Sequence, residues 1–249
     1  NFQAGDFYLS PSMSLEKVVS ALQSSGERKV TAQVLVREGI TVDQVGDAVA
    51  KSTKFKKADF LKLMKNEKFL KSLQQKYPQL LDSSMAVKNV RYHLEGYLYP
   101  AKYDLYQSTT LKELVEQMVQ KSNEMLSPYF DQMKEKDLTV QETLTLASLI
   151  EREGVTEEDR RKISGVFFNR LDVDMPLQSD ISVMYALNTH KKSLSLEDIK
   201  VKSPYNLYVH SGFGPGPFNN PSIDSVQATL NPADRDKNYL YFVADLDTG

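Results

Sequence analysis

The chain has 249 residues, of which 41% are hydrophobic and 26% charged, a balance typical of a folded globular protein. Its formal charge is -2, so no overall electrostatic field attracts nucleic acid or an anionic membrane, and no nucleic-acid partner is expected. The absence of cysteine excludes disulfides, thiol catalysis and cysteine metal sites.

The first third of the chain predicts short strands mixed with helices. Strand character is found in residues 5–10 and 29–39, and helical patterns occur in residues 12–26, 41–52 and 54–75. Gly26 is expected to end the first helix, and Thr41-Val-Asp-Gln44 has the form of a capping box that begins the second. The opening NFQAGDFYLS is typical of the interior of a longer protein, so we expect an excised part.

The pattern is interrupted at residues 78–88, and we place a domain boundary there. Beyond it, three helices are predicted, at residues 111–125, 138–153 and 157–170. The middle one begins with a second capping box, Thr139-Val-Gln-Glu142, and is expected to end at Gly154. The remainder is rich in loops, apart from a short helix at 223–230 and a strand at 239–245.

Two glutamates interrupt the apolar run at the end of the helix predicted for residues 138–153. Helical projection places Glu151 on an apolar stripe and Glu153 between apolar neighbours. A carboxyl group in an apolar setting has its charged form disfavoured, which suits a general acid. The alternative is an ordinary last turn whose glutamates reach solvent or pair with Arg152 and Arg160. The pattern alone does not choose between these roles, or between the two glutamates.

Several other classes of site find little support. The three histidines are far apart and lack the spacing of metal ligands, so neither a metal nor a cofactor is expected. The glycine-proline run at residues 212–217 has the wrong spacing for a phosphate loop, and its prolines remove backbone donors. The many tyrosines suit stacking on sugar rings, but half-buried strands use tyrosine for packing just as readily.

Seven short motifs in order across about 150 residues resemble the YceG-like family, the MltG-type endolytic murein transglycosylases. They are LEGYLYP (94–100), ASLIERE (147–153), VFFNRL (166–171), MPLQSD (175–180), SPYNLY (203–208), NP (220–221) and YLYFV (239–243). The first 88 residues are similar to the LysM-like module that precedes the catalytic part in this family.

The resemblance implies a bacterial cell-wall enzyme held by a single-pass membrane anchor that this chain lacks, with its soluble part outside the cytoplasmic membrane. Its substrate would be the glycan strand of peptidoglycan, cut internally between N-acetylmuramic acid and N-acetylglucosamine without water, leaving a 1,6-anhydromuramic end. Cell-wall synthesis or division proteins are expected as partners.

The family's catalytic glutamate corresponds to Glu151, which the resemblance implies is general acid and then base. Seven further residues match polar positions of the family motifs and are implied to bind or orient the substrate. They are Glu95, Asn169, Arg170, Gln178, Asp180, Tyr205 and Asn206. Each of these also has a structural alternative, since Asn169 and Arg170 lie on a predicted helix and tyrosines flank Glu95.

The sequence therefore predicts an α+β protein: a small LysM-like module at residues 1–88, then a mixed α/β catalytic domain at 89–249 with its glutamate on a helix. A rival function is a scaffold that binds peptidoglycan without turning it over, within a division complex. A third, an intracellular domain unrelated to the wall, would have no affinity for glycan. The product and the effect of changing Glu151 alone distinguish the first two.

Overall fold

The computed structural model of the protein describes residues 13–23, 30–191 and 193–243. The strand predicted at residues 5–10 and the helix end predicted at Gly26 lie outside these ranges. Two short strands, β1 (Ala32–Leu35) and β2 (Lys102–Leu105), form an antiparallel sheet with Ala32 opposite Leu105. Mixed helical and strand structure within the described residues agrees with the α+β class.

Eleven helices are found in the described residues. They are α1 (Leu15–Gln23), α2 (Val42–Ser52), α3 (Lys57–Leu63), α4 (Glu67–Lys76), α5 (Pro78–Ala86), α6 (Leu111–Leu126), α7 (Phe130–Glu135), α8 (Val140–Glu153), α9 (Glu157–Asp172), α10 (Asp180–Leu187) and α11 (Ile223–Leu230). Short 3₁₀ turns occur at Ser127–Tyr129, Asp198–Lys200 and Arg235–Lys237. None of the helices in the described ranges is long and apolar enough to cross a membrane.

Both predicted capping boxes are present. Thr41 and Gln44 begin α2, and Thr139 and Glu142 begin α8, in each case with reciprocal bonds between side chain and backbone. These bonds satisfy amide groups that have no partner within the helix itself, which fixes where each helix starts. The predicted end at Gly154 is also confirmed.

Three expectations about local structure were wrong. Residues 78–86 form α5 rather than a break, because Pro78 occupies the first turn, where a missing N–H costs nothing. Residues read as loop after 175 include α10, which is apolar on all sides and so lacks a helical period. Residues 239–243 are not a strand, and the carbonyls of Tyr239 and Leu240 accept hydrogen bonds from side chains of α9 instead.

Helix α8 lies between two clusters of buried side chains. Leu144 and Ala147 belong to the larger cluster, which also contains side chains of α2, α4 and α6. Leu146 and Leu149 belong to a smaller cluster with side chains of α9, α10 and α11. The larger cluster extends across position 88, while the division into domains there stays a prediction. Burial on both faces holds the end of α8 in a fixed position.

Candidate active site

Glu151 lies at the C-terminal end of α8 and points at the N-terminus of α11. Its Oε2 atom accepts hydrogen bonds from the backbone N–H of Ser222 (2.9 Å), the Oγ of Ser222 (2.5 Å) and the Oγ of Ser225 (2.6 Å). Ser222 is also the N-cap of α11, where orphan amides and the helix dipole attract a negative group. The apolar setting expected for this carboxyl group was therefore wrong, since its immediate partners are polar.

The second oxygen of Glu151 is held much less tightly. Oε1 lies 3.8 Å from a guanidinium nitrogen of Arg160, longer than a hydrogen bond, and no hydrogen bond to Oε1 is found among the described residues. The Glu151 side chain is 6% exposed. One carboxyl oxygen is thus fixed by α11, and the other has no hydrogen-bond partner among the described residues.

Two more acidic side chains interact with Glu151 or with its arginine. Arg160 is also 3.8 Å from Asp224, which places its guanidinium between Asp224 and Glu151. Glu38, in the loop after β1, has a raised pKa because of partial burial first, and then because of the negative charges of Glu151 and Asp224, while Arg160 opposes the shift. The site is a cluster of three acidic groups around one arginine.

The loop that carries Glu38 is hydrogen-bonded to Asn220, two residues before the N-cap of α11. Gly39 donates its N–H to the carbonyl of Asn220 (2.8 Å), and Ile40 forms an antiparallel bridge with Asn220. Gly39 has φ +70°, and a Cβ placed there would lie 3.5 Å from the Cγ of Glu151. A segment of the predicted N-terminal module therefore forms part of the wall around Glu151.

Glu153 points elsewhere, because two residues along a helix differ by about 200°. Its Oε1 accepts a hydrogen bond from the Oγ of Ser179 (2.8 Å), just before α10. Burial raises the pKa of Glu153, and the nearby charge of Asp180 adds to the shift. The structure thus separates the two glutamates that helical projection left equivalent.

Glu95 is 2% exposed and connects two distant elements. Its Oε1 accepts from the backbone N–H of Val42, in the first turn of α2 (2.8 Å), and its Oε2 accepts from the hydroxyl of Tyr185 on α10 (2.9 Å). Burial raises the pKa of Glu95 to about 8, against which these two hydrogen bonds act. With both oxygens engaged inside the protein, Glu95 has the geometry of a structural connector.

Two predicted substrate-binding residues on α9 hold the C-terminal segment. Asn169 donates to the carbonyl of Tyr239 (2.8 Å) and accepts from Arg235 (2.6 Å). Arg170 donates to the carbonyls of Leu240 (2.7 Å) and Leu177 (2.7 Å). Both residues are buried, and the two polar side-chain atoms of Asn169 and the Nε and Nη1 of Arg170 are bonded to protein groups.

Two more, in the loop after the Asp198–Lys200 turn, are also buried. Tyr205 accepts the backbone N–H of Arg91 on its hydroxyl (2.8 Å) and packs against Tyr185 and Phe218. The amide nitrogen of Asn206 donates to two backbone carbonyls, each at 2.9 Å, which fixes the shape of the loop.

The remaining two predicted residues lie nearer the surface. Gln178 is exposed, with φ +53°, and its backbone N–H donates to the carbonyl of Leu207 (2.9 Å). Asp180 begins α10 and accepts a short hydrogen bond from the hydroxyl of Tyr208 (2.5 Å). Substrate binding by these two residues, and by the five buried ones including Glu95, stays a prediction.

Sequence reasoning missed Ser222, Ser225 and Glu38 as members of the site, and named Arg160 only as a possible ion-pair partner of the two glutamates. The serines have a visible signal, because Ser222 immediately precedes the helix predicted at residues 223–230 and has the residue type of an N-cap. Their contact with Glu151 spans more than 70 positions and has no local signature. Within the described parts of the chain, no group of three His, Asp or Glu side chains is arranged to hold a metal ion.

Comparison with known proteins places this fold and site in a family. The model of the YceG-like family matches residues 1–249, and the chain belongs to that family. A protein of Streptococcus pneumoniae serotype 2 named endolytic murein transglycosylase is 41% identical over 265 residues, which cover 100% of this chain and 48% of the relative. A protein of Bacillus subtilis with the same name is 37% identical over 244 residues, which cover 98% of this chain and 67% of the relative.

A solved structure has the same fold. The crystal structure of a yceG-like protein from Listeria monocytogenes matches with a TM-score of 0.82 and 38% identity, covering 98% of this chain and 80% of the other. The chain spans about half the length of the streptococcal relative, so it is compared with only part of that protein.

Proposed function

We propose that this chain carries the catalytic part of an endolytic lytic transglycosylase that cuts peptidoglycan glycan strands, with Glu151 as the general acid and then the base. The observation that carries the proposal is the asymmetric carboxyl group of Glu151, fixed through Oε2 and open at Oε1. The names of relatives that share 37–41% of its residues support the same reaction class.

The proposed reaction needs one carboxyl group and no water. Glu151 gives the proton on Oε1 to the bridging oxygen as the bond from the anomeric carbon of N-acetylmuramic acid breaks. The resulting carboxylate takes a proton from the C6 hydroxyl of the same sugar, whose oxygen bonds to the anomeric carbon. One glycosidic bond is broken, one anhydro bond is formed, and Glu151 is protonated again. Attack from within one sugar gains from proximity.

The remaining members of the cluster have electrostatic roles in this proposal. The anomeric carbon develops positive charge as the bond breaks, and ionised side chains of Glu38 and Asp224 would stabilise that charge. Arg160 limits the repulsion between these carboxylates and Glu151. Ser222 and Ser225 keep Glu151 in one orientation while its charge changes twice.

The wider setting is also part of the proposal. The first 88 residues would act as a LysM-like module, and a membrane anchor outside this chain would hold the enzyme on the extracytoplasmic side of the membrane. Partners in cell-wall synthesis or division fit that location.

The test is digestion of uncrosslinked glycan strands by the wild-type chain, Glu151→Gln and Glu153→Gln, with products identified by mass spectrometry. We expect anhydro-ended fragments from wild type and from Glu153→Gln, and a rate lower by about 10²–10⁴-fold for Glu151→Gln, the usual contribution of general acid–base catalysis. Glu153 is the matched control because it lies on the same turn, is partly buried and makes one side-chain hydrogen bond.

Equal products from wild type and Glu151→Gln would refute the assignment. Strand binding with no anhydro products from any of the three proteins would favour the scaffold instead.

A further inference from the structure

Arg160 is a largely buried arginine beside Glu151 whose guanidinium group makes no hydrogen bond among the described residues. Its side chain is 16% exposed, and its Nε is buried without a partner. Its Nη2 lies 3.8 Å from the Oε1 of Glu151 and its Nη1 lies 3.8 Å from the Oδ2 of Asp224, both too long for a hydrogen bond. A buried guanidinium group is normally hydrogen-bonded, so an arginine held in this way is unusual.

The contact with Gly154 fixes where the stem of Arg160 lies. Gly154 ends α8, three residues after Glu151, and a Cβ placed there would lie 2.6 Å from the Cγ and 3.0 Å from the Cα of Arg160. Because a side chain would not fit in that space, glycine allows the first turn of α9 to pack against the end of α8. The stem of Arg160 is thus held in place, while no hydrogen bond holds its guanidinium group.

A cation at this distance favours the charged form of Glu151 without occupying its oxygen. An opposite charge within about 4–6 Å stabilises a carboxylate. A direct hydrogen bond would also place an N–H on Oε1, the oxygen that exchanges both protons in the proposed reaction. The gap of 3.8 Å stabilises the charge and leaves the oxygen open.

Asp224 acts against Arg160 from the other side of the guanidinium group. It lies in the first turn of α11 and is 63% exposed, so solvent screens its charge and its effect is the smaller one. The other charged groups around Glu151 are Glu38 and Arg152, whose Cδ lies beside Gly39. Neither is in an ion pair with Glu151 within the described ranges.

We propose that Arg160 is a positioning residue that stabilises the carboxylate of Glu151 between its two proton transfers, and that Asp224 limits this stabilisation. The inference rests on the proposed function, because it takes Glu151 as the acid and the base. It makes the balance between Arg160 and Asp224 the feature that sets the pH at which Glu151 loses its proton.

The first measurement is the titration of Glu151 in the whole 249-residue chain, by NMR with glutamate carrying carbon-13 in its side-chain carboxyl group. Glu151→Gln identifies the signal. Arg160→Met keeps the apolar stem and removes the charge that favours the carboxylate, so the signal should titrate about one pH unit higher. Asp224→Asn removes the opposing charge, so the signal should titrate lower, by about half a unit because that position is exposed.

The second measurement is the pH dependence of lytic cleavage. Cleavage needs the protonated form of Glu151, so the high-pH limb of the rate profile should move up in Arg160→Met and down in Asp224→Asn. On the plateau below that limb, Arg160→Met should be slower by up to about tenfold, because a weaker acid donates its proton less readily. Arg160→Lys keeps the charge and should restore most of the wild-type profile.

Opposite shifts distinguish this role from a structural one. Both variants remove the pair between Arg160 on α9 and Asp224 on α11, so a pair that only joins the helices would move both titrations the same way or neither. Arg161→Met is the matched control. It is the next residue on α9 and donates to the carbonyl of Asn231 after α11 (2.9 Å), and it should keep the wild-type titration. Asp224→Asn, at an exposed position, keeps the test valid if Arg160→Met does not fold.

Opposite shifts in Arg160→Met and Asp224→Asn, with Arg161→Met unchanged, support the inference. Shifts in the same direction, or a folded Arg160→Met that titrates like wild type, overturn it. Anhydro products that depend on Glu151, without any shift in Arg160→Met, would overturn the role of Arg160 alone. Opposite shifts without lytic products from wild type would support the coupling of Arg160 to Glu151 and overturn the proposed reaction.

Discussion

Glu151 and Glu95 are two glutamates held in nearly the same way, by a backbone N–H at the start of a helix and by side-chain hydroxyls. Ser222 and Ser225 hold Glu151 at α11, and Val42 and Tyr185 hold Glu95 at α2 and α10. The difference is in how the donors are distributed. All three donors of Glu151 share one oxygen, whereas the two donors of Glu95 take one oxygen each.

The distribution of donors distinguishes a carboxyl group that only connects helices from one that could also exchange a proton. A carboxyl group with both oxygens occupied and 2% exposure joins helices but has no free oxygen to offer a ligand. A carboxyl group with all its donors on one oxygen is equally well oriented and keeps the other oxygen for proton transfer. Burial and helix contact alone therefore do not distinguish Glu151 from Glu95, and the free oxygen is what favours Glu151 of these two as the proposed acid.

The comparison predicts a pH dependence of stability that belongs to Glu95. Its pKa in the folded chain is about 8, against an ordinary value of 4.5. As pH rises between these values, the unfolded chain loses its proton first, so the free energy of unfolding falls. Stability from this group is complete below about pH 4.5 and lost by about pH 8, a change on the order of several kcal/mol at about 1.4 kcal/mol per pKa unit.

The pH dependence of the free energy of unfolding can be measured by urea unfolding of wild type and Glu95→Gln at several pH values from about 5 to about 8. We expect the variant to have a flatter pH profile than wild type. Glu153 also has a raised pKa and acts in the same direction, but it is present in both proteins and cancels in the difference. Glu67→Gln, an exposed residue in the first turn of α4, is the control and should keep the wild-type slope. Parallel profiles for wild type and Glu95→Gln would show that Glu95 is not the group responsible.

Features of the fold could be predicted from the sequence where neighbouring residues carry the pattern, and not where the contacts come from distant parts of the chain. Helix α8 was predicted from local features, namely its capping box at Thr139, its apolar period and Gly154. Helix α10 was not, because most of its residues are apolar and it has no polar face to give a period.

The site shows the same limit at longer range. Helical projection left Glu151 and Glu153 equivalent because what separates them is their partners, Ser222 and Ser179, and these come from other elements. Glu38 reaches the cluster through a backbone bridge between Ile40 and Asn220, 180 positions apart. Motif resemblance could select Glu151, but the donors around it are visible only in the folded structure.

An effect of intermediate size is expected from removing a hydroxyl group that donates a hydrogen bond to Glu151. Ser225→Ala removes one hydroxyl from Oε2 and leaves the N-cap of α11 in place. A hydrogen bond to a charged group contributes about 1.5–3 kcal/mol, so we expect the rate of lytic cleavage to fall by about tenfold to a hundredfold. Strand affinity should change little, because the bond does not involve the substrate.

Single-turnover digestion and strand binding measure the two quantities separately. Ser164→Ala is the control, since Ser164 on α9 is also fully buried and makes one long bond (3.5 Å) to the backbone carbonyl of Thr229 on α11 without contacting Glu151. If both variants slow cleavage equally, general loosening of the core explains the effect rather than the orientation of Glu151.

The smallest expected effect concerns the loop that carries Glu38. Gly39 and Gly212 both have left-handed backbone, with φ +70° and +82°, so alanine at either position costs about 1–2 kcal/mol of stability. Only Gly39 lies against the site, where a new Cβ would be 3.2 Å from the Cδ of Arg152 and 3.5 Å from the Cγ of Glu151. Around Gly212, nothing lies within 4 Å of such a Cβ.

Gly39→Ala and Gly212→Ala should therefore lose similar free energies of unfolding in denaturant. Only Gly39→Ala should lose lytic activity, by several-fold. The new Cβ would displace the side chain of Arg152, which would shift the loop relative to Glu151. Equal activity of the two variants would mean that the predicted N-terminal module covers the site without shaping it. A selective loss would make the loop after β1 part of the active site, and would extend the contrast between Glu151 and Glu95 to the chain segments that hold them.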